Sequence, residues 1–394
     1  MNILYNISIK LYVFAIHFAA LFNNKAKLWV NGRQNIFLNL EKATKNQESI
    51  VWFHCASLGE FEQGKPIIEG YKKKYPEHKI LLTFFSPSGF EIRKNYKGAD
   101  WVFYLPSDTK SNAKKFINIV NPIKVIFVKY EFWFNYINEC KKYNIPFYSV
   151  SAIFRAEQAF FKYTWFTKQL QNITHFFVQE NTSAELLKSK GFTNTSTSGD
   201  SRFDSVLENT KNPKEFPLVK DFCKCKPTII CGSTWSKDEA LLSQFIKGNP
   251  QFNYIIAPHE LGNINTLQKQ TNAQLFSTAN TKNINSSNVL IIDSIGILSH
   301  IYQYGNIAYI GGGFGSGIHN ILEAVTFGLP VIFGPNYKKF KEARELIALG
   351  GAKSISSKEE LYKAFNHFNN FENTIATSYI TNSSGATETI LESL

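Results

Sequence analysis

Two doubly wound α/β domains in tandem, with a cleft between them, are the architecture this sequence predicts. Three observations predict it. The length of 394 residues exceeds what one hydrophobic core usually serves, so two domains of roughly 150 to 200 residues are expected. Short β-branched and aromatic runs alternate with helical patterns from residue 50 onward, the mark of βαβ units and a parallel sheet. That alternation is interrupted over residues 206–227, a charged segment with three prolines and no clean period that reads as an interdomain linker.

Taken in order, residues 3–22, "ILYNISIKLYVFAIHFAALF", approach the length that crosses a bilayer but contain Asn6, Lys10 and His17. No small-residue cleavage site follows, and Lys25, Lys27 and Arg33 come next, basic residues of the kind that stay cytoplasmic. Residues 1–22 therefore read as an uncleaved membrane-anchor helix, inserted or lying in the interface; a soluble amphipathic helix packed on the body is the alternative. A first domain over 33–205 carries the strand candidates "SIVWFH", "KILLTFF", "WVFYLP", "KVIFVKY", "PFYSVSA" and "HFFVQ", with helices such as 111–119 and 182–190 between them. After the linker, a second domain over 228–394 restarts with "TIICGST", "FNYIIAPH", "NVLIID", "NIAYIGGG", "PVIFG" and "AKSI".

Composition narrows the partners. The chain is 44% hydrophobic and 19% charged, which fits a packed protein, and no heptad array, solenoid period or long low-complexity segment is present. The balance of 43 Lys+Arg against 31 Asp+Glu, a net +12, favours anionic partners, although a lysine-rich solvated surface accounts for the same numbers. The 5 cysteines are odd in number and scattered, which suits reduced thiols better than a disulfide framework. Cys223, Cys225 and Cys231 have no His close by in the sequence to complete a metal site.

In open parallel sheets ligands gather at the carboxyl ends of strands, so the loops there carry the candidate chemistry. In "CASLGE", Glu60 reads either as a carboxylate complementing a helix dipole or as a base placed to accept a proton from a substrate hydroxyl. In "VKYEFWF", Glu131 follows an apolar strand, where a carboxylate needs a partner or water; Phe132 and Trp133 read as packing residues. In "SGDSRFD", the planar fork of Arg202 suits phosphate or carboxylate, with pairing to Asp200 or Asp204 as the alternative. In residues 311–335, glycines 311, 312, 313, 315 and 317 sit before a helix expected to start near His319, a loop whose N–H groups suit a phosphate, and Glu323 is placed to bond a ribose diol. No P-loop pattern and no D-x-D occur, so no metal is expected in the reaction.

These stretches together resemble the 3-deoxy-D-manno-octulosonic acid (Kdo) transferases, over nearly the whole chain. "CASLGE" is similar to the family's A-A-S-V-G-E, whose glutamate is the proposed base, and the match falls on Glu60. "YEFWFN" resembles T-E-L-W-P-N, which places the second glutamate at Glu131; "GDSRFD" resembles G-N-L-K-F-D, which puts the family's lysine at Arg202. "APHE", "DSIGIL" and "IHNILEA" are similar to P-R-H-P-E, D-T-x-G-E-L and G-H-N-P-L-E-P, so the family's CMP contacts fall on Pro258, His259, Ile295, Gly296, Ile297, Asn320 and Glu323. This chain departs from the pattern at Arg202, at His259, where the family usually has Arg, and at Ile153, where the family's arginine is absent and Arg155 stands nearby.

The resemblance implies a GT-B fold of two Rossmann-like domains and an inverting transfer of Kdo from CMP-Kdo to the lipid A precursor (lipid IVA) in lipopolysaccharide biosynthesis. It implies no metal or other cofactor, no nucleic-acid partner, and a place on the cytoplasmic side of the inner membrane. Glu60 would deprotonate the 6'-hydroxyl of the lipid A disaccharide, and Arg202 with the glycine loop would hold the leaving phosphate or the donor carboxylate. A GT-B enzyme using a UDP-sugar, whether transferase or 2-epimerase, and a non-catalytic membrane adaptor with this fold are the alternatives.

Overall fold

The computed structural model describes residues 2–211, 213–369 and 374–394. The described chain divides into two compact units, one reaching to Ser205 and joined by Ser384–Leu394, the other Val206–Ser383.

The first unit opens with three helices, α1 (Asn2–Ala19), α2 (Asn24–Asn31) and α3 (Ile36–Thr44). Strands and helices then alternate: β1 (Ile50–Cys55), α4 (Leu58–Lys74), β2 (Lys79–Phe84), α5 (Pro87–Arg93), β3 (Trp101–Tyr104), α6 (Lys110–Val120) and β4 (Lys124–Val128). There follow α7 (Phe134–Lys142), β5 (Phe147–Ala152), α8 (Ala159–Lys162), α9 (Thr164–Leu170), β6 (His175–Val178), α10 (Asn181–Ser189), β7 (Thr195–Thr197) and α11 (Arg202–Lys211), the helix within which the first unit ends. The seven strands form one parallel sheet in the order β3-β2-β1-β4-β5-β6-β7. Its central strands are unbroken apolar runs because helices cover both faces; every residue of β1 is buried. One face packs Trp52, Phe116, Phe127 and Tyr136, the other Phe53, Phe61, Tyr71 and Phe84.

The second unit holds α12 (Pro217–Cys223), β8 (Thr228–Thr234), α13 (Ser236–Gly248), β9 (Asn253–Pro258), α14 (Ile264–Thr271), β10 (Gln274–Leu275) and β11 (Val289–Ile291). It continues with α15 (Leu298–Ile301), β12 (Ile307–Ile310), α16 (Leu322–Val325), β13 (Val331–Phe333), α17 (Lys341–Leu349), β14 (Ala352–Ser354), α18 (Lys358–Phe368) and α19 (Thr374–Ser383). Its sheet is also parallel and seven-stranded, β10-β11-β9-β8-β12-β13-β14.

Three expectations change. Residues 206–227 are largely helical: α11 runs on to Lys211, and Pro217 sits at the start of α12, where its missing N–H costs nothing. The second domain does not run to residue 394, because the last helix, α20 (Ala386–Ser393), belongs to the first unit. Ile390 is buried there beside Phe53 and Tyr71, Asp204 accepts from the Gly385 and Thr387 N–H groups at 2.6 and 2.7 Å, and Lys74 reaches the Leu391 carbonyl at 2.6 Å. The helix expected from His319 is a single turn beginning at Leu322.

Candidate active site

In a doubly wound sheet the strand order reverses at one point, and the loops there splay apart to leave room for a ligand. In the first sheet that point lies between β1 and β4, and in the second between β8 and β12. Each sequence candidate can be placed against these two points.

β1 ends at Cys55, and Ser57, in an extended conformation, precedes α4 with Glu60 three residues on, the spacing of a capping box. The Ser57 hydroxyl donates to Glu60 Oε2. Glu60 is therefore partly a helix-end group, yet it is half-buried and its Oε1 lies 3.3 Å from Lys129 Nζ at the end of β4. Burial pushes its carboxyl up, but Lys129 and the bond from Ser57 outweigh that and hold it below the usual carboxylate range. Lys129 has φ +65°, a left-handed conformation that is costly for a lysine. Two bonds over-determine it: its N–H donates to the Val150 carbonyl at 2.8 Å, and its own carbonyl accepts from Ser149 Oγ at 2.8 Å.

Glu131 lies in the same loop, half-buried, before α7. Its Oε2 accepts from Trp133 Nε1 at 3.2 Å and faces Nε2 of the fully buried His54, on β1, at 3.4 Å. The indole of Trp52 donates to Thr83 Oγ1 at 2.7 Å, and Thr83 Oγ1 is 2.9 Å from His54 Nδ1. A carboxylate only accepts, so the proton of the neutral imidazole is assigned to Nε2, toward Glu131, which leaves Nδ1 to accept from Thr83 Oγ1; the Phe53 carbonyl, 3.3 Å away, is the other acceptor within reach of that hydroxyl. Phe132 is buried among Phe154, Phe160 and Phe176, while Trp133 packs on Phe85 at 4.8 Å. Arg202 stands at the start of α11, with its Nε and Nη2 2.8 and 2.7 Å from Asp200 Oδ2, the pairing the sequence held as the alternative.

In the second unit the glycines serve close approach. A Cβ on Gly311 would come within 2.2 Å of the Ser233 carbonyl, and one on Gly313 within 2.6 Å of the Gly334 backbone. Several N–H groups of the expected phosphate cradle are already bonded: Gly311 to the Gly232 carbonyl, Gly315 and Gly317 to that of Gly312, and Gly312 to Asp238 at 2.9 Å. Asp238, buried in α13, also accepts from Tyr309 and from the Trp235 N–H, and so ties together the loops after β8 and β12.

Pro258 ends β9 and His259 follows it; Ile295 is 87% exposed beside Gly296, which has φ +91°, and Ile297 is half-buried. Asn320 is exposed and donates to Glu323 at 3.2 Å. His259 stacks on Trp235 and on His319, both at 4.5 Å, and Trp235 Nε1 donates to His319 Nε2 at 2.8 Å. Burial, with His259 next to it, pushes the His319 pKa down, so the ring is neutral with its proton on Nδ1. Among the described residues no three His, Cys, Asp or Glu side chains converge as metal ligands would.

Sequence reasoning missed Lys129, His54, Trp235 and His319 as site residues. Lys129 and His54 lie inside the stretches it singled out, two residues before Glu131 and one before Cys55, but their partners come from a neighbouring strand and leave no local signal.

The sequence profile of the 3-deoxy-D-manno-octulosonic-acid transferase (kdotransferase) family matches residues 32–205. The 3-deoxy-D-manno-octulosonic acid transferase of Aquifex aeolicus is 29% identical over 319 residues, 79% of this chain and 83% of that one. The Haemophilus influenzae enzyme of the same name is 27% identical over 78% of this chain and 76% of its own. Among solved structures, the UDP-GlcNAc 2-epimerase of Neisseria meningitidis superposes with a TM-score of 0.61 at 15% identity, covering 87% of this chain and 98% of its own. MurG of Acinetobacter baumannii superposes at 0.53 and 12% identity over 87% and 98%. At such identities the structures speak for the fold, which is of the GT-B type, and the sequence relatives for the family. The sequence comparisons thus support the Kdo transferase family, by its profile over residues 32–205 and by relatives aligned over about four fifths of the chain, and with it a glycosyltransferase enzyme.

Proposed function

We propose that this enzyme transfers Kdo from CMP-Kdo to the 6'-hydroxyl of the lipid A precursor, lipid IVA, with inversion at the anomeric carbon. The observation that carries the reading is the pair of carboxylates, Glu60 and Glu131, at the ends of the adjacent strands β1 and β4, one of them kept ionised by Lys129. CMP is a good leaving group, so the protein must supply a base, orientation and charge stabilisation. Glu60 takes the hydroxyl proton, the acceptor oxygen bonds to the ketosidic carbon, and the bond from that carbon to the phosphate oxygen breaks with its electron pair leaving on CMP. Arg202 steadies the phosphate or the donor carboxylate, with Asp200 orienting its fork. Pro258, His259, Ile295, Gly296, Ile297, Asn320 and Glu323 contact CMP. No metal step is needed in this scheme.

The enzyme works on the cytoplasmic side of the inner membrane, held by its N-terminal segment. Among the described residues no single helix is long and apolar enough to cross a membrane, although α1 and α2, bent by 120° at their break, reach that composition together. Ile3, Leu4, Leu11, Phe14 and Phe18 are exposed along α1, while Tyr5 donates to Asp108 at 2.5 Å and Asn6 accepts from Asn135 at 3.1 Å. A helix bonded to the body on one side and apolar on the other is suited to lying in the interface. Incubation of the purified protein with CMP-Kdo and lipid IVA, followed by mass analysis of the lipid, should show added Kdo. Preference for UDP over CMP in a titration would instead favour a UDP-sugar enzyme, and failure to bind either nucleotide would favour an adaptor. Deleting residues 1–22 should release the protein from membranes with CMP affinity retained.

A further inference from the structure

A cavity of about 670 Å³ opens in the first unit between α1, the α2–α3 segment and the start of α6. Val13, Trp29 and Phe37 give it apolar walls, and His17, Arg33 and Lys115 give it cationic or ionisable ones. Arg33 is the unusual member. Its Nε, Nη1 and Nη2 donate to the carbonyls of Leu105, Trp29 and Phe85 at 2.8, 3.0 and 2.8 Å, and its guanidinium lies 3.7 Å from the Trp29 ring centroid. Among the described residues no carboxylate pairs with it. A guanidinium has five N–H donors, so two are left over after these three bonds. Burial pushes its pKa down to about 9, which still leaves it charged near neutrality.

A partly buried charge that meets only carbonyl dipoles and rings is well placed to take an anion. The neighbouring Trp29 indole N–H, in a side chain only 5% exposed, has no hydrogen-bond partner and is a second donor left unsatisfied. The cavity also lies one aromatic layer from Glu131: Phe85, whose carbonyl holds Arg33, packs against Trp133, which donates to Glu131. Its other border is α1, with its exposed apolar face.

We propose that this cavity binds the phosphate headgroup of an acylated lipid, with Arg33 and Lys115 on the phosphate and the apolar walls on the start of an acyl chain. This rests on the reading of the enzyme as a transferase acting on a phosphorylated lipid, and it assigns that lipid a subsite. Lys115 is exposed on α6, so Lys115→Glu should fold normally; Arg33→Lys keeps a charge but loses the fork.

Direct binding by the full-length protein would be measured with bisphosphorylated lipid IVA, its dephosphorylated form and inorganic phosphate. The expected result is affinity for lipid IVA about tenfold weaker in each variant, weak binding of the dephosphorylated lipid by all forms, and inorganic phosphate at least tenfold weaker than the lipid. Wild-type lipid affinity in a folded Lys115→Glu protein and in Arg33→Lys would overturn the proposal, as would inorganic phosphate binding as tightly as the lipid. Transfer assays separate the two readings. Kdo transfer at an unchanged acceptor KM in both variants sinks the subsite alone, whereas lipid binding lost in the variants without any Kdo transfer by the wild type sinks the transferase reading alone.

Discussion

Lys129 Nζ stands 3.3 Å from Glu60 Oε1, and the lysine holds a left-handed backbone at the end of β4. A strained residue fixed by two hydrogen bonds and aimed at a half-buried carboxylate is an expense a fold keeps for a reason. The pair joins the loops of two adjacent strands at the point where the sheet reverses.

If Glu60 is the base, Glu60→Gln keeps shape and hydrogen bonding but removes the proton acceptor, so kcat should fall by about 10² to 10⁴. Glu62, which pairs with Arg93 at 2.9 Å on an open surface, is the control, and Glu62→Gln should leave turnover nearly intact. Near wild-type turnover in folded Glu60→Gln would move the role to Glu131.

Lys129→Met tests the ion pair through pH. Burial raises the Glu60 carboxyl and Lys129 lowers it, with the lowering dominant. Without the lysine the burial is less opposed, so the carboxylate should be lost at a higher pH. The acidic limb of the kcat/KM profile is expected to move upward in pH, and an unmoved limb would show that Lys129 does not set the base.

The hydrogen-bond chain Trp52–Thr83–His54 ends on Glu131, so His54 should act by orienting that carboxylate. Each of His54→Asn and Glu131→Gln should lower kcat, and the double variant should lose less than their sum, with a coupling of about 0.5 to 3 kcal/mol. CMP affinity by calorimetry should be unchanged in all three. Additive losses would mean the two residues act separately.

Glu323→Ala should weaken CMP binding by about 1.5 to 3 kcal/mol, the usual worth of hydrogen bonds to a charged group. Calorimetry with unchanged affinity in a folded variant would remove Glu323 from the donor site.

His319 makes a prediction about stability. Its pKa is lowered in the folded chain, so the unfolded chain takes the proton more readily, and the folded state loses stability as pH drops through about 6.5. The denaturation midpoint of the wild type should fall between pH 7.5 and 5.5, and His319→Gln, whose amide oxygen still accepts from Trp235, should flatten part of that slope. An identical slope in the variant would place the titration elsewhere.

Much of the architecture was legible because it rests on patterns local in sequence. Central strands such as β1 and β4 are covered by helices on both faces and must be apolar throughout, so they announce themselves. β7 and β10, edge strands of three and two residues, are too short to show a period and did not. Glu60 and Glu131 were legible as candidates because the loops at the carboxyl ends of strands are where a parallel sheet exposes its chemistry. The return of α20 to the first unit was not legible, since it depends on Ile390 finding Phe53 and Tyr71 more than 300 residues earlier, as the numbering shows.

The sequence by itself determined the α/β class, the alternation, the restart after residue 227 and the stretches that carry the family resemblance, because periodicity and short motifs are written along the chain. Only the tertiary structure decided who pairs with whom: Lys129 with Glu60, His54 with Glu131, Trp235 with His319, and Arg33 with backbone carbonyls in place of a carboxylate. Those relations are set by strand order and by the turn of single backbone angles such as the φ of Lys129. Residues far apart in sequence meet only when the sheet closes around them, and the protonation states they impose on one another exist only in that enclosure.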